Sequence, residues 1–129
     1  LGSTNANVSG TVYNSWYGNA AWNATESNVQ ALGYALTLSK IYCVLSAAPS
    51  STHSRTLTFR QNTANSSAAV TISGASTSGS WTGSLAVATD DLICVAHTSS
   101  GTPTNSNMKY GLVFTTVPPT QFVQQTIML

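Results

Sequence analysis

The sequence contains very few charged residues. Lysine, arginine, aspartate and glutamate make up 5% of its 129 residues, whereas they account for about a quarter of an ordinary soluble domain. The net charge is +1 and the four basic residues are scattered, so nucleic-acid binding, which needs clustered basic residues, is not expected. Because little charge repulsion separates copies of such a chain, we expect its surface to meet other protein surfaces.

Long apolar runs and helix signals are also missing. No stretch approaches the roughly 20 consecutive apolar residues that span a bilayer, so we expect no membrane insertion. No long segment places apolar residues at helical spacing behind a capping residue. The sequence therefore favours a fold built from strands.

Residues suited to catalysis or metal binding are sparse. The chain has three acidic residues and two histidines, and none of the spacings typical of zinc ligands occurs. Asp90 and Asp91 are adjacent, which indicates a turn, and no nucleophile elbow is present. We expect no enzyme activity, no cofactor and no metal site.

The two cysteines, Cys43 and Cys94, both lie in apolar, strand-like segments. A disulfide between them would suit an oxidising compartment. Two separate buried thiols that behave as small apolar side chains are the alternative. The sequence leaves both interpretations open.

Short segments rich in β-branched and aromatic residues alternate with clusters of Gly, Ser, Asn and Pro, which is typical of an all-β sandwich. In one strand Ile41, Cys43 and Leu45 share a face; in another Leu57 and Phe59 point inward, with Arg55 near the strand end. Residues 61–67 are predicted to be a turn. The eight predicted strands cover residues 8–13, 27–32, 36–47, 54–61, 68–73, 81–88, 92–98 and 109–116. We predict an antiparallel β-sandwich with jelly-roll topology, with an immunoglobulin-like sandwich as the alternative.

The chain divides into a β-sandwich domain, residues 1–117, and an apolar C-terminal tail, residues 118–129. Pro118 and Pro119 at the start of the tail prevent regular sheet hydrogen bonding. An apolar tail is expected to dock on its own domain or on a neighbouring subunit, where strand addition is one mode of assembly. The residues predicted to dock are Phe122, Val123, Ile127, Met128 and Leu129.

Four aromatic residues cluster near the N-terminus, namely Tyr13, Trp16, Tyr17 and Trp22. Exposed aromatic rings beside Asn and Gln side chains suit glycan binding, because amide groups can hydrogen-bond sugar hydroxyls. The alternatives are packing at the end of the sandwich or contacts between subunits, where aromatic residues are enriched.

Five stretches carry a resemblance to a family of small β domains. They are AAWNATESNVQ (20–30), LSKIYCVLSAAP (38–49), TLTFRQNTANSSAAVTISG (56–74), LAVATDDLICV (85–95) and TSSGTPTNS (98–106). The chain resembles domains of phage tail, fibre and capsid-surface proteins and of extracellular bacterial structural proteins. The resemblance implies a jelly-roll sandwich that is frequently oligomeric and has no established enzymatic activity. The departures fall at turns, for example Asp90 and Asp91 where the family tends to have Gly-Asp.

We therefore expect a structural subunit of a virion surface, fibre or extracellular filament, located outside the cell or on a virion. It would act by self-assembly as a homo-oligomer or filament, with copies of itself and other virion or surface proteins as partners. The alternative is a carbohydrate-binding adhesin or receptor-binding module whose partners are glycans.

Overall fold

A computed structural model describes residues 2–5, 10–18 and 21–116. Its strands are β1 (Gly2–Asn5), β2 (Val12–Asn14), β3 (Ala31–Leu32), β4 (Leu36–Leu45), β5 (Ser54–Gln61), β6 (Ala64–Ser73), β7 (Ser78–Val87), β8 (Leu92–Ser100) and β9 (Asn107–Thr116). One 3-10 turn, Glu26–Asn28, precedes β3.

The strands form two sheets in which every pairing is antiparallel. The first sheet has the order β1-β9-β4-β7, and the second has the order β2-β8-β5-β6, with β3 also paired to β8. The predicted all-β antiparallel sandwich is confirmed, and this order is compatible with jelly-roll topology. The first sheet places no two consecutive strands side by side, unlike the A-B-E-D sheet of an immunoglobulin domain, so the immunoglobulin-like alternative does not describe this fold.

The core lies between the two sheets and follows the alternation of strand side chains. Ile41, Cys43 and Leu45 of β4 point into it, as do Leu57 and Phe59 of β5, in agreement with the sequence pattern. The other fully buried members are Leu38, Ala68, Val70, Ile72, Val87, Ile93, Val95, Met108 and Tyr110. Burial of such side chains contributes about 1.5–3 kcal/mol each and is the main force that holds the sheets together.

Gly79 has no side chain, and this lets β7 of the first sheet lie close to β6 of the second sheet. A Cβ atom at this position would lie 2.8 Å from Cγ1 of Val70 and 3.2 Å from Cγ1 of Ile72. A larger side chain would therefore push the two edge strands apart. β6 and β7 consequently lie together, one from each sheet, along the same side of the molecule.

Two local predictions were wrong, and a third was incomplete. The predicted turn at residues 61–67 is only Asn62 and Thr63, both with positive φ, and β6 already begins at Ala64. The strand predicted at 27–32 is reduced to β3, because the residues before it form the 3-10 turn. Arg55 lies near the strand end, as predicted. Its side chain is also buried, and its Nη2 donates to the carbonyl oxygen of Thr104, 2.8 Å away.

Candidate functional site

The N-terminal aromatic residues mostly help to close the sandwich. Trp16 makes an edge-to-face contact with Phe114, with centroids 5.7 Å apart, and Trp22 lies 5.3 Å from the ring of His97. Both tryptophans are partly buried against the core. Tyr17, 50% exposed and 5.4 Å from Trp16, keeps much of its ring open to solvent. The predicted glycan-stacking surface is thus reduced to one well-exposed ring.

The fourth aromatic residue, Tyr13, belongs to a cluster on the outer face of the second sheet. Arg60 lies over the Tyr13 ring, 5.3 Å from its centroid, and its Nε donates to Oε1 of Glu26 at 2.6 Å. Its Nη2 also donates to Oε2 of Glu26 at 3.0 Å, which makes the ion pair bidentate. The hydrogen bond from Arg60 lowers the pKa of Glu26, and the same bond raises the pKa of Arg60. This ion pair holds the N-terminal segment onto the sheet.

The two cysteines are separate buried thiols, so of the two interpretations that the sequence leaves open, the disulfide is not formed. Cys43 points into the core from the first sheet. Cys94 points to the outer face of the second sheet, where its Sγ contacts Oε1 of Glu26 at 3.5 Å. Because β8 lies between the two sulfurs, they cannot meet without rearrangement of the sheet. Burial raises the pKa of each thiol to about 12, which makes both unreactive.

The core-facing side of the second sheet holds a buried polar group. His97 is fully buried, and neither ring nitrogen has a hydrogen-bond partner among the described residues. Burial, and secondarily the charge of Arg55, lowers the pKa of His97 to about 4. This histidine is therefore neutral near pH 7.

Asp90 and Asp91 lie in the connection between β7 of the first sheet and β8 of the second sheet, and the sequence predicts a turn here. Asp91 accepts hydrogen bonds from Nε2 of Gln61 at 2.5 Å, Nδ2 of Asn62 at 2.7 Å and the amide of Ala88 at 2.8 Å. These bonds, led by that from Asn62, lower the pKa of Asp91. The carboxylate is thus used within the fold, as the usual role of aspartate in turns suggests.

The outer face of the first sheet exposes three large apolar side chains. Tyr42 and Val44 of β4 are 47% and 49% exposed, and Val113 of β9 is 43% exposed. Val113 pairs with Lys40, two residues before Tyr42, so the three side chains are neighbours on one face. We call Tyr42, Val44 and Val113 the apolar row.

Two lysines flank the apolar row. Nζ of Lys40 lies 4.5 Å from the ring centroid of Tyr42, a cation–π contact, and Lys109 is opposite Val44. The three acidic side chains of the chain lie elsewhere, Glu26 on the second sheet and Asp90 and Asp91 in the turn before β8. This face is therefore partly apolar and carries only positive charge.

Strand β7 borders this face and forms an open sheet edge. The amide of Leu45 donates to the carbonyl of Thr77 at 2.7 Å, which marks these two residues as a hydrogen-bonded pair. Because such pairs alternate along an antiparallel ladder, Ser78, Ser80 and Thr82 direct their backbone N–H and C=O groups away from β4. Within the described ranges no strand pairs with this edge.

The sequence pattern contained the signal for the apolar row. If Ile41, Cys43 and Leu45 point inward, Tyr42 and Val44 must point outward from the same strand. That pattern could not show whether another element covers this outer face. The predicted docking residues of the tail, Phe122, Val123, Ile127, Met128 and Leu129, lie outside the described residues.

No family model, curated protein or solved structure matches the chain. The resemblance to phage and extracellular β domains therefore stays a prediction. In the described part of the chain, no helix has the length and apolar character needed to cross a membrane. The same residues contain no group of three or more histidine, cysteine or acidic side chains placed to hold a metal ion.

Proposed function

We propose that this protein is a structural subunit that assembles with copies of itself on a virion surface, fibre or extracellular filament. The observation that supports this function best is the apolar row, Tyr42, Val44 and Val113, on an outer sheet face without acidic residues. An exposed apolar patch of this kind is a common mark of a protein–protein contact. The function needs no catalytic residue or cofactor, and it places the protein outside the cell or on the virion.

The apolar row alone is too small for a stable interface. Each of its side chains is about half exposed, so its burial would contribute on the order of 1 kcal/mol. A specific interface buries about 800 Å² on each partner. The contact must therefore include the neighbouring Ser and Thr side chains of β7 and β9, which carry no charge to desolvate.

The charges of this face favour a head-to-tail contact between copies. A face-to-face dimer would bring Lys40 and Lys109 of one copy near the same lysines of the other, with no acidic side chain on either face. Like charges opposed in an interface cost affinity. A head-to-tail contact avoids this and builds rings or filaments.

Light scattering on the full chain, measured over a range of concentrations, tests the proposal. We expect particles larger than the 13.4 kDa chain, and we expect Val44→Lys to shift them towards the single chain because it adds a third positive charge to the face. Leu32→Lys is the matched control, since Leu32 is 66% exposed but lies on the second sheet. A 13.4 kDa species at every concentration, or equal effects of both variants, would contradict the proposal.

A glycan-binding adhesin is the second candidate, and the half-exposed ring of Tyr17 supports it. Because sugars stack on open aromatic rings, this function predicts glycan-array binding that is lost in Tyr17→Ala while assembly persists. Tyr34→Ala is the control, since Tyr34 is also exposed but lies outside the aromatic cluster. Absence of binding by the unaltered chain would remove this candidate.

A further inference from the structure

The first half of the β7 edge lacks the features that usually protect edge strands. Natural proteins protect such edges with charged residues, prolines or bulges. β7 contains no charged residue and no proline. The pairing register between β7 and β4 shifts at Gly83 and Ser84, which together lie opposite the single residue Ser39. The pairing of residues 78–82 with β4 is therefore regular. Ser78, Ser80 and Thr82 in this stretch are exposed.

The apolar row lies directly beside this edge. Ser80 pairs with Tyr42, and Ser78 pairs with Val44. A strand added to the edge would lie about 4.8 Å from β7 and about 10 Å from β4. Because the intervening serines are small, large apolar side chains of the added strand can reach Tyr42 and Val44 across them.

The β6 edge of the second sheet offers a useful contrast. The amide of Gly74 donates to the carbonyl oxygen of His53, so these two residues are a hydrogen-bonded pair. Because such pairs alternate along the β5–β6 ladder, Thr71 directs its backbone N–H and C=O groups away from β5. The neighbouring outer face is polar here, since Oγ1 of Thr71 and Oγ1 of Thr56 are hydrogen-bonded at 2.9 Å. Both edges thus offer hydrogen bonds, but only the β7 edge adjoins exposed apolar side chains.

We propose that residues 78–82 of β7 bind residues 121–129 of a second copy as an added strand. This inference rests on the proposed self-assembly. The segment QFVQQTIML has no charged side chain, and five of its nine residues are apolar. In an extended conformation Val123, Ile127 and Leu129 share one side, which can face the apolar row. Backbone hydrogen bonds supply affinity in this mode, and alternate side chains supply specificity.

The strand that precedes the segment ends at the far end of the sheet from residues 78–82 of its own copy. Thr116, the last residue of β9, pairs with Leu36, which pairs with Val87. The chain therefore leaves the sheet at the end opposite residues 78–82. Pro118 and Pro119 follow and favour an extended backbone, and thirteen residues can span roughly 45 Å. Each copy then donates one segment and accepts another, which is a head-to-tail arrangement.

A proline scan of the two edges in the full chain tests this inference. In Ser80→Pro the lost N–H points away from β4, so the ladder within the sheet stays intact. We expect the concentration for half-maximal assembly to rise about tenfold or more. Thr71→Pro makes the same change on the β6 edge and is expected to leave assembly unaltered. Thermal unfolding of both variants checks that they remain folded.

A cysteine-mixing experiment identifies the copy that supplies the strand. Full chains carrying Ser80→Cys are mixed under mild oxidation with chains carrying Gln121→Cys, Gln124→Cys or Gln125→Cys. Cys43 and Cys94 are buried and do not compete. We expect a disulfide between two different copies, and little when Thr71→Cys replaces Ser80→Cys.

Each contrary result has a defined meaning. Assembly that persists in Ser80→Pro, or equal cross-linking to Thr71→Cys, overturns the β7 site while self-assembly stands. If a chain that carries both Ser80→Cys and Gln124→Cys forms the disulfide only within itself, donation between copies is overturned. A single chain at every concentration overturns both the proposed function and this inference.

Discussion

The two outer faces of the sandwich differ in how each is covered. On the second sheet, the 3-10 turn brings Glu26 over Cys94 and into an ion pair with Arg60, and Thr56 and Thr71 bond to each other. On the first sheet, Tyr42, Val44 and Val113 remain about half exposed. The chain thus covers part of one face with its own N-terminal segment and leaves the other open among the described residues.

Because of this difference, we expect the residues that stabilise the fold and the residues that bind a second copy to lie on different faces. These side chains on the second sheet engage one another within the chain, so changes to them should alter the free energy of unfolding. The apolar row has few contacts to lose, so changes there should alter the binding of a second copy.

Acid should destabilise the fold through His97, on the core side of the second sheet. Its pKa is about 4 in the folded chain and about 6.5 when unfolded, so the unfolded state binds the proton first as the pH falls. The free energy of unfolding is then unaffected by this group above pH 6.5 and falls by about 3 kcal/mol between pH 6.5 and 4. Urea unfolding at several pH values measures this fall.

His97→Phe is the control for the acid prediction, because it keeps an aromatic ring beside Trp22 and removes the titration. The lowered pKa values of Glu26 and Asp91 add their own loss of stability, but mainly below pH 4.5. If the variant lost stability between pH 6.5 and 4.5 as steeply as the unaltered chain, His97 would not be the responsible group.

Arg60→Ala should give the second largest effect. The substitution leaves Glu26, whose side chain is only 14% exposed, without its ionic partner, and we expect a loss of about 2 kcal/mol. Lys109→Ala on the first sheet removes a basic side chain from an exposed position and should cost less than about 0.5 kcal/mol. Thermal unfolding of both variants measures the contrast, and equal losses would show that the ion pair does not stabilise the N-terminal segment.

The sequence alone predicts what depends on strand alternation. The bounds of β5 match the prediction, and the inward side of β4 determines that Tyr42 and Val44 point outward. Contacts between distant residues were not predictable. The buried Arg55 bonds to the carbonyl of Thr104, 49 residues further along the chain, and local alternation contains no information about that loop.

Turn chemistry explains a second failure of sequence reasoning. Asn62 and Thr63 form the hairpin turn with φ values of 52° and 65°, although Asn-Gly is the pair that usually adopts such a turn. Residues outside the hairpin hold Asn62 in place, since its Oδ1 accepts from the amide of Leu92 at 2.9 Å and its Nδ2 donates to Asp91. The turn is therefore stabilised by the β7–β8 connection, which lies beside it and hydrogen-bonds to it only in the folded chain.

The smallest expected effect on stability is that of Val44→Thr. Threonine has nearly the same shape as valine, and its hydroxyl can reach water at this half-exposed position, so the free energy of unfolding should change by less than about 0.5 kcal/mol. Val95→Thr is the same substitution at a fully buried position of the second sheet, where an unpaired hydroxyl costs about 1–3 kcal/mol. Assembly should show the reverse order, weakened by Val44→Thr and unaltered by Val95→Thr at temperatures where the variant stays folded. Light scattering measures the effect of each variant on assembly, and urea unfolding measures its effect on stability. If the two variants ranked in the same order in both assays, the outer face of the first sheet would contribute to folding rather than to association.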